Sequence, residues 1–207
     1  MHRNEILFTL NTTESIVLFL EKTLAVVHCC YEAPIFFRSE GQEFLLSEDT
    51  VRHHMHKLVS LLVKASSNQL LRHESVSSTI GSLFTSYRFY SFDSELSKQQ
   101  GLVFDEEDEW VGNKHLLFAH DIAVWIYNDQ NSEIILEFTP WYKGNYFDDE
   151  GETDFTQYEQ FLKDYKLLFT RTLPREVGQQ WLDQANNILK QIAENTERFE
   201  KEEAKQG

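Results

Sequence analysis

Residues 123–139 read AVWIYNDQNSEIILEFT, and this stretch decides the fold. Residues 123–127 are β-branched and aromatic, and residues 134–139 are almost as apolar. Between them Asn128, Asp129, Gln130, Asn131 and Ser132 form a short polar connection. Two such runs joined by so few turn-forming residues predict an antiparallel hairpin. Pro140 and Gly144 punctuate its exit. Upstream, the apolar stretch between His115 and His120 is strand-like, and the aromatic run 87–92 predicts a further strand.

Toward the amino terminus, residues 35–37 and 44–46 flank Gly41 and predict a second hairpin. A helix follows, capped by Ser47 or Asp49, with Val51, Met55, Leu58, Val59, Leu62 and Val63 on one face. Residues 5–10 are expected as a strand or the lead-in to a first helix, starting at Thr12 or Thr13 and running toward Val27. Residues 66–82 are Ser-rich and predict a loop or frayed helix. Near the carboxyl end, Asp154 would cap a helix carrying Phe155, Tyr158, Phe161, Leu162 and Tyr165. A final helix starts at Pro174 with Val177, Trp181, Ala185, Ile188, Leu189 and Ile192 on one face. The expected fold class is α+β, a mainly antiparallel sheet packed by helices and ending in a C-terminal helix pair. One globular domain is expected over residues 1–195, followed by a polar, solvated tail over 196–207.

The net charge of −15 is uneven. Residues 93–109 hold seven acids against one Lys, and residues 129–154 hold eight against one, so these two segments carry −13 of the total. A clustered negative field steers association with basic ligands and repels nucleic acid and anionic lipid, so a basic protein is the expected partner, without direct contact to nucleic acid or membrane. No apolar run approaches the ~20 residues of a spanning helix. The amino terminus lacks a clear basic region and a small-residue cleavage site, which predicts a cytoplasmic protein. The 16 Phe, eight Tyr and four Trp require a buried core.

Catalytic signatures are missing: the chain has no Gly-x-Ser-x-Gly elbow, phosphate-binding loop, dinucleotide glycine triad or His-Glu-x-x-His helix. No cofactor is therefore expected. His53, His54 and His56, beside Arg52 and Lys57, read as a solvated helix face rather than a metal site. His115 and His120, the latter next to Asp121, read as structural histidines, with a general base as the competing role. The run from Asp148 to Asp154 lacks the glycine and glutamate offsets of an EF-hand. Exposed consecutive acids suit glycoside hydrolysis poorly, because one carboxyl must have a raised pKa. Cys29 and Cys30 are adjacent, cannot form an ordinary loop bridge, and are expected as buried reduced thiols.

The candidate partner-binding residues are therefore acidic and aromatic. Trp110 follows Asp105, Glu106, Glu107, Asp108 and Glu109, while Trp141 and Tyr142 precede Asp148, Asp149 and Glu150. The carboxylates would steer and the aromatics anchor. In these acidic clusters flanked by Trp110, Trp141 and Tyr142, in its hairpin-then-helix organisation and in its lack of catalytic motifs, the chain resembles the immunity proteins that bacteria carry against toxins, including those of contact-dependent inhibition systems. That resemblance implies a non-catalytic complex with a basic toxin domain, often a nuclease, whose active site is covered. The alternatives are an inhibitor that mimics nucleic acid, and a metal-dependent hydrolase built from scattered carboxylates with His115 or His120.

Overall fold

The computed structural model describes residues 4–72, 79–81, 84, 114–142 and 155–205. The α+β architecture read from the sequence is present: the described residues form two four-stranded sheets, mainly antiparallel, together with α1 (Val51–Ser66), α2 (Phe155–Asp164) and α3 (Arg175–Glu203). Two compact units form, Met1–Gln69 with Leu173–Gly207, and Leu70–Thr172.

The first unit is a meander of β1 (Asn4–Thr9), β2 (Glu14–Leu20), β3 (Glu32–Ser39) and β4 (Gln42–Thr50). The helix expected from Thr12 or Thr13 is instead β2 followed by a single 3-10 turn, Leu24–Val26. All seven residues of β2 are buried. A strand covered on both faces loses its alternation, so apolar density alone does not separate it from a buried helix. Ile16, Val17 and Phe19 favour the strand, and the Asn11 side chain sets the preceding turn by accepting the N–H groups of Thr13 and Glu14 at 2.9 Å each. The hairpin at Gly41 forms as expected. Ser39 pairs with Gln42, which leaves Glu40 (φ 50°) and Gly41 (φ 79°) as a two-residue turn in the left-handed region.

Helix α1 is capped by Thr50, whose hydroxyl accepts the His53 N–H at 3.2 Å; Ser47 and Asp49 belong to β4. Its buried face holds Val51, Met55, Leu58, Leu61, Leu62, Ala65 and also His54, whereas Val63 is exposed. Helix α3 packs along α1 and buries Trp181, Ala185, Ile188 and Ile192. Pro174 is its cap rather than its first helical residue. The helix continues through the segment expected to fray, ending at Glu203. Asn195 explains part of that persistence, because its buried amide donates to the carbonyls of Leu24 and Val27 at 2.9 Å each and so closes the 3-10 turn.

The second sheet holds β5 (Leu116–Ala119), β6 (Ile122–Asn128), β7 (Ile134–Pro140) and β8 (Phe169–Leu173), in that order, all within the second unit except Leu173 at the end of β8. The hairpin 123–139 is β6 paired with β7, with Trp125 opposite Glu137 and Ala123 opposite Thr139. Asp129 organises the connection by accepting the N–H groups of Asn131 (2.9 Å) and Glu133 (2.8 Å). The strand expected over 87–92, the Asp154 cap and Gly144 lie outside the described residues.

Candidate functional site

Of the candidate partner-binding residues, Asp105, Glu106, Glu107, Asp108, Glu109, Trp110, Asp148, Asp149 and Glu150 lie outside the described residues. Trp141 and Tyr142 are described, and both are half-buried. Trp141 stacks on Phe84 with centroids 5.6 Å apart, and Tyr142 meets Phe161 at 5.3 Å. Each ring is therefore held by a neighbour within its own unit and keeps part of its surface open.

The sheet face on which Trp141 packs contains a buried carboxylate that the sequence reading does not single out. Ala123, Trp125, Tyr127 and Ile135 form a core with Ile80 and Phe84, and Glu137 is buried on the same sheet. The Glu137 carboxylate accepts the N–H of Gly81 (2.8 Å), the N–H of Ile80 (3.2 Å) and the Tyr127 hydroxyl (3.2 Å). Burial raises its pKa, while these donors and the Arg72 charge oppose the rise. All three groups donate, so ionised oxygens satisfy them best. Burial likewise drives the Tyr127 phenol well above its ordinary range, with the Glu137 charge adding to it. Beside them the Trp125 indole N–H donates to the Thr139 hydroxyl at 2.8 Å. Gly81 fits this corner because it has no side chain: a Cβ there would lie 2.6 Å from Thr139 Cγ2 and 2.7 Å from Trp125 Nε1. The cluster ties Ile80 and Gly81 to the sheet, and Glu137 is thus an internal brace rather than one of the steering charges of residues 129–154. Its one signal in the sequence is a lone Glu inside the apolar run IILEFT.

His115 is buried at 2% exposure, and its Nδ1–H donates to the Ile126 carbonyl at 3.3 Å. Burial lowers its pKa to about 4, which favours the neutral imidazole. His120 pairs with Asp121 at 3.1 Å between β5 and β6, both partly exposed. In the other unit, His54 departs from the solvated face expected for it: its Nε2 lies 2.9 Å from the Ala33 carbonyl in the core. His53 and His56 are exposed, as expected.

The adjacent cysteines also differ from expectation, since Cys29 is half-buried and Cys30 is exposed. They are the central residues of a turn closed by the Tyr31 N–H donating to the His28 carbonyl at 3.0 Å. Their sulfurs are 3.5 Å apart. One ring nitrogen of His28 and both sulfurs lie within 4.8 Å of one another. The Cys29 sulfur raises the pKa of Cys30, an effect that the Arg52 charge opposes. Read only as a cysteine pair, this stretch lacks the usual metal spacing, and His28 immediately before it is the available signal.

No family model, curated protein or solved structure matches the chain.

Proposed function

We propose that the chain is a non-catalytic binding protein whose second unit captures a basic protein partner, with immunity against a basic toxin such as a nuclease as its biological form. The observation that carries this reading is the partition of charge between the units. Residues 70–172 hold 19 acids against eight Lys or Arg, a net −11, which leaves −4 on the residues of the other unit. Even with Glu137 withdrawn into the core, that unit would set up a strongly one-signed field, and such fields raise association rates with oppositely charged partners. The half-open rings of Trp141 and Tyr142 would supply apolar contact beside the acidic run that follows them.

The test is affinity capture on the full-length chain from a lysate of its native organism, followed by binding kinetics of the recovered partner across a salt series. Association should slow as salt rises, because exposed charges beyond about 8 Å are screened at physiological ionic strength. Neutralising Glu106, Glu107 and Asp108 to Gln or Asn should slow association further while leaving dissociation nearly unchanged. A partner whose binding ignores both salt and these substitutions would sink the acidic-interface reading.

A further inference from the structure

We propose that His28, Cys29 and Cys30 form a binding site for one thiophilic d10 cation, Zn2+ or Cu+, in the first unit. The donor set is the one such ions select, two thiolates and an imidazole. The spacing is already close to what coordination requires. Two sulfurs bound to one zinc at ~2.3 Å in a tetrahedral arrangement sit about 3.8 Å apart, and here they are 3.5 Å apart, with the imidazole nitrogen inside the same 4.8 Å group.

Three tethers hold the turn in this conformation. The Cys29 N–H donates to the Thr196 hydroxyl at 3.0 Å, which ties the turn to α3. The Tyr31 carbonyl accepts the Val51 N–H at 2.9 Å, which ties it to the start of α1. The His28 ring stacks on Phe199 at 5.1 Å and lies perpendicular to Tyr31 at 6.4 Å. A ligand ring fixed in this way loses little freedom on binding, and this is how outer residues tune a metal site. A groove of about 430 Å³ lined by Arg52, His56, Thr196 and Glu197 among others opens beside Cys29, and Cys30 is itself exposed, so both sulfurs can be reached from solvent. Binding through two thiolates and a neutral imidazole forms two metal–sulfur bonds and one metal–nitrogen bond and releases the thiol protons to solvent; no oxidant or reductant is involved.

The experiment uses the full-length reduced chain under anaerobic conditions. Zn2+ and Cu+ are titrated separately against competing chelators, and Co2+ serves as a spectroscopic probe. The expected result is one ion per chain, a thiolate-to-cobalt charge-transfer band, and at least tenfold weaker binding in Cys29→Ser, Cys30→Ser and His28→Ala. His120→Ala should leave affinity unchanged. Melting in the presence of chelator checks that each variant folds, and protection of Cys29 and Cys30 from alkylation by the added ion provides a second readout in the unmutated protein. The proposal is overturned if neither ion binds at one per chain, or if binding and protection survive both Cys30→Ser and His28→Ala. Neither result bears on capture of a basic partner by the acidic segments.

Discussion

The carboxylate of Glu137 accepts the backbone N–H of Gly81 at 2.8 Å across 56 residues of sequence, and it holds that N–H and its neighbour against the middle of a sheet. Glu137→Gln tests the brace. The amide keeps one acceptor oxygen but turns an NH2 group toward one of the donors that the second carboxylate oxygen satisfied. Exchanging a buried acceptor for a donor that faces another donor costs on the order of 1–3 kcal/mol. The urea midpoint should fall accordingly, and an unchanged midpoint would mean that Glu137 does not bear on these bonds.

His115 predicts a pH dependence with a definite sign. Its pKa is about 4 in the folded chain against an ordinary 6.5, so between those values the unfolded chain holds a proton that the folded chain lacks. Stability therefore rises with pH through this window, is complete above about 6.5, and is lost as pH falls toward 4. At 1.36 kcal/mol per pKa unit the span is roughly 3 kcal/mol. Burial depresses His54 in the same direction. His115→Asn, which can still donate to the Ile126 carbonyl, should flatten the slope without abolishing it. An identical slope in this variant would show that His115 titrates freely.

Trp181 is 2% exposed, lies edge-on to Phe8 at 6.0 Å, and donates its indole N–H to the Thr9 carbonyl at 2.9 Å. It joins α3 to β1. Trp181→Ala should destabilise the fold by about 3–5 kcal/mol through the cavity it leaves. Trp181→Phe keeps most of the ring and loses the hydrogen bond, at a cost of about 1 kcal/mol for the bond itself. Denaturant unfolding separates the two, and equal losses would show that the bond rather than the packing holds α3 to β1.

What was legible in the chain follows from local chemistry. The turns at Gly41 and at residues 128–132 are set by the residues inside them, and the stripes of α1 and α3 by their spacing, so these elements could be read directly. Element β2 could not, because burial on both faces erased its period. His54 and Glu137 escape a local reading for a related reason: each is a polar residue whose partner, the Ala33 carbonyl or the Gly81 N–H, is distant in sequence. Burial of a polar group depends on a partner that no local pattern displays. The turn His28–Tyr31 is the same case, since Thr196 and Phe199, which fix it, come from the far end of the chain.

That last dependence makes the carboxyl-terminal segment testable. Polarity alone predicts that removing everything after Asn195 costs little. The structure argues otherwise, because the cut deletes Thr196, which accepts the Cys29 N–H, Arg198, which donates to the Ala25 carbonyl at 2.7 Å, and Phe199, which covers the His28 ring. With hydrogen bonds contributing about 1 kcal/mol each and the apolar packing of the Phe199 ring removed as well, the truncation should destabilise the protein by about 2–3 kcal/mol. A chain ending at Glu203 keeps all three interactions and should match the full-length protein in urea unfolding. The shorter chain should also let the His28–Tyr31 turn move, so alkylation of Cys30 relative to an unstructured thiol should change in it alone. If both truncations unfold at the same urea concentration as the full chain, the end of α3 does not anchor the turn, and Asn195 suffices to close the first unit.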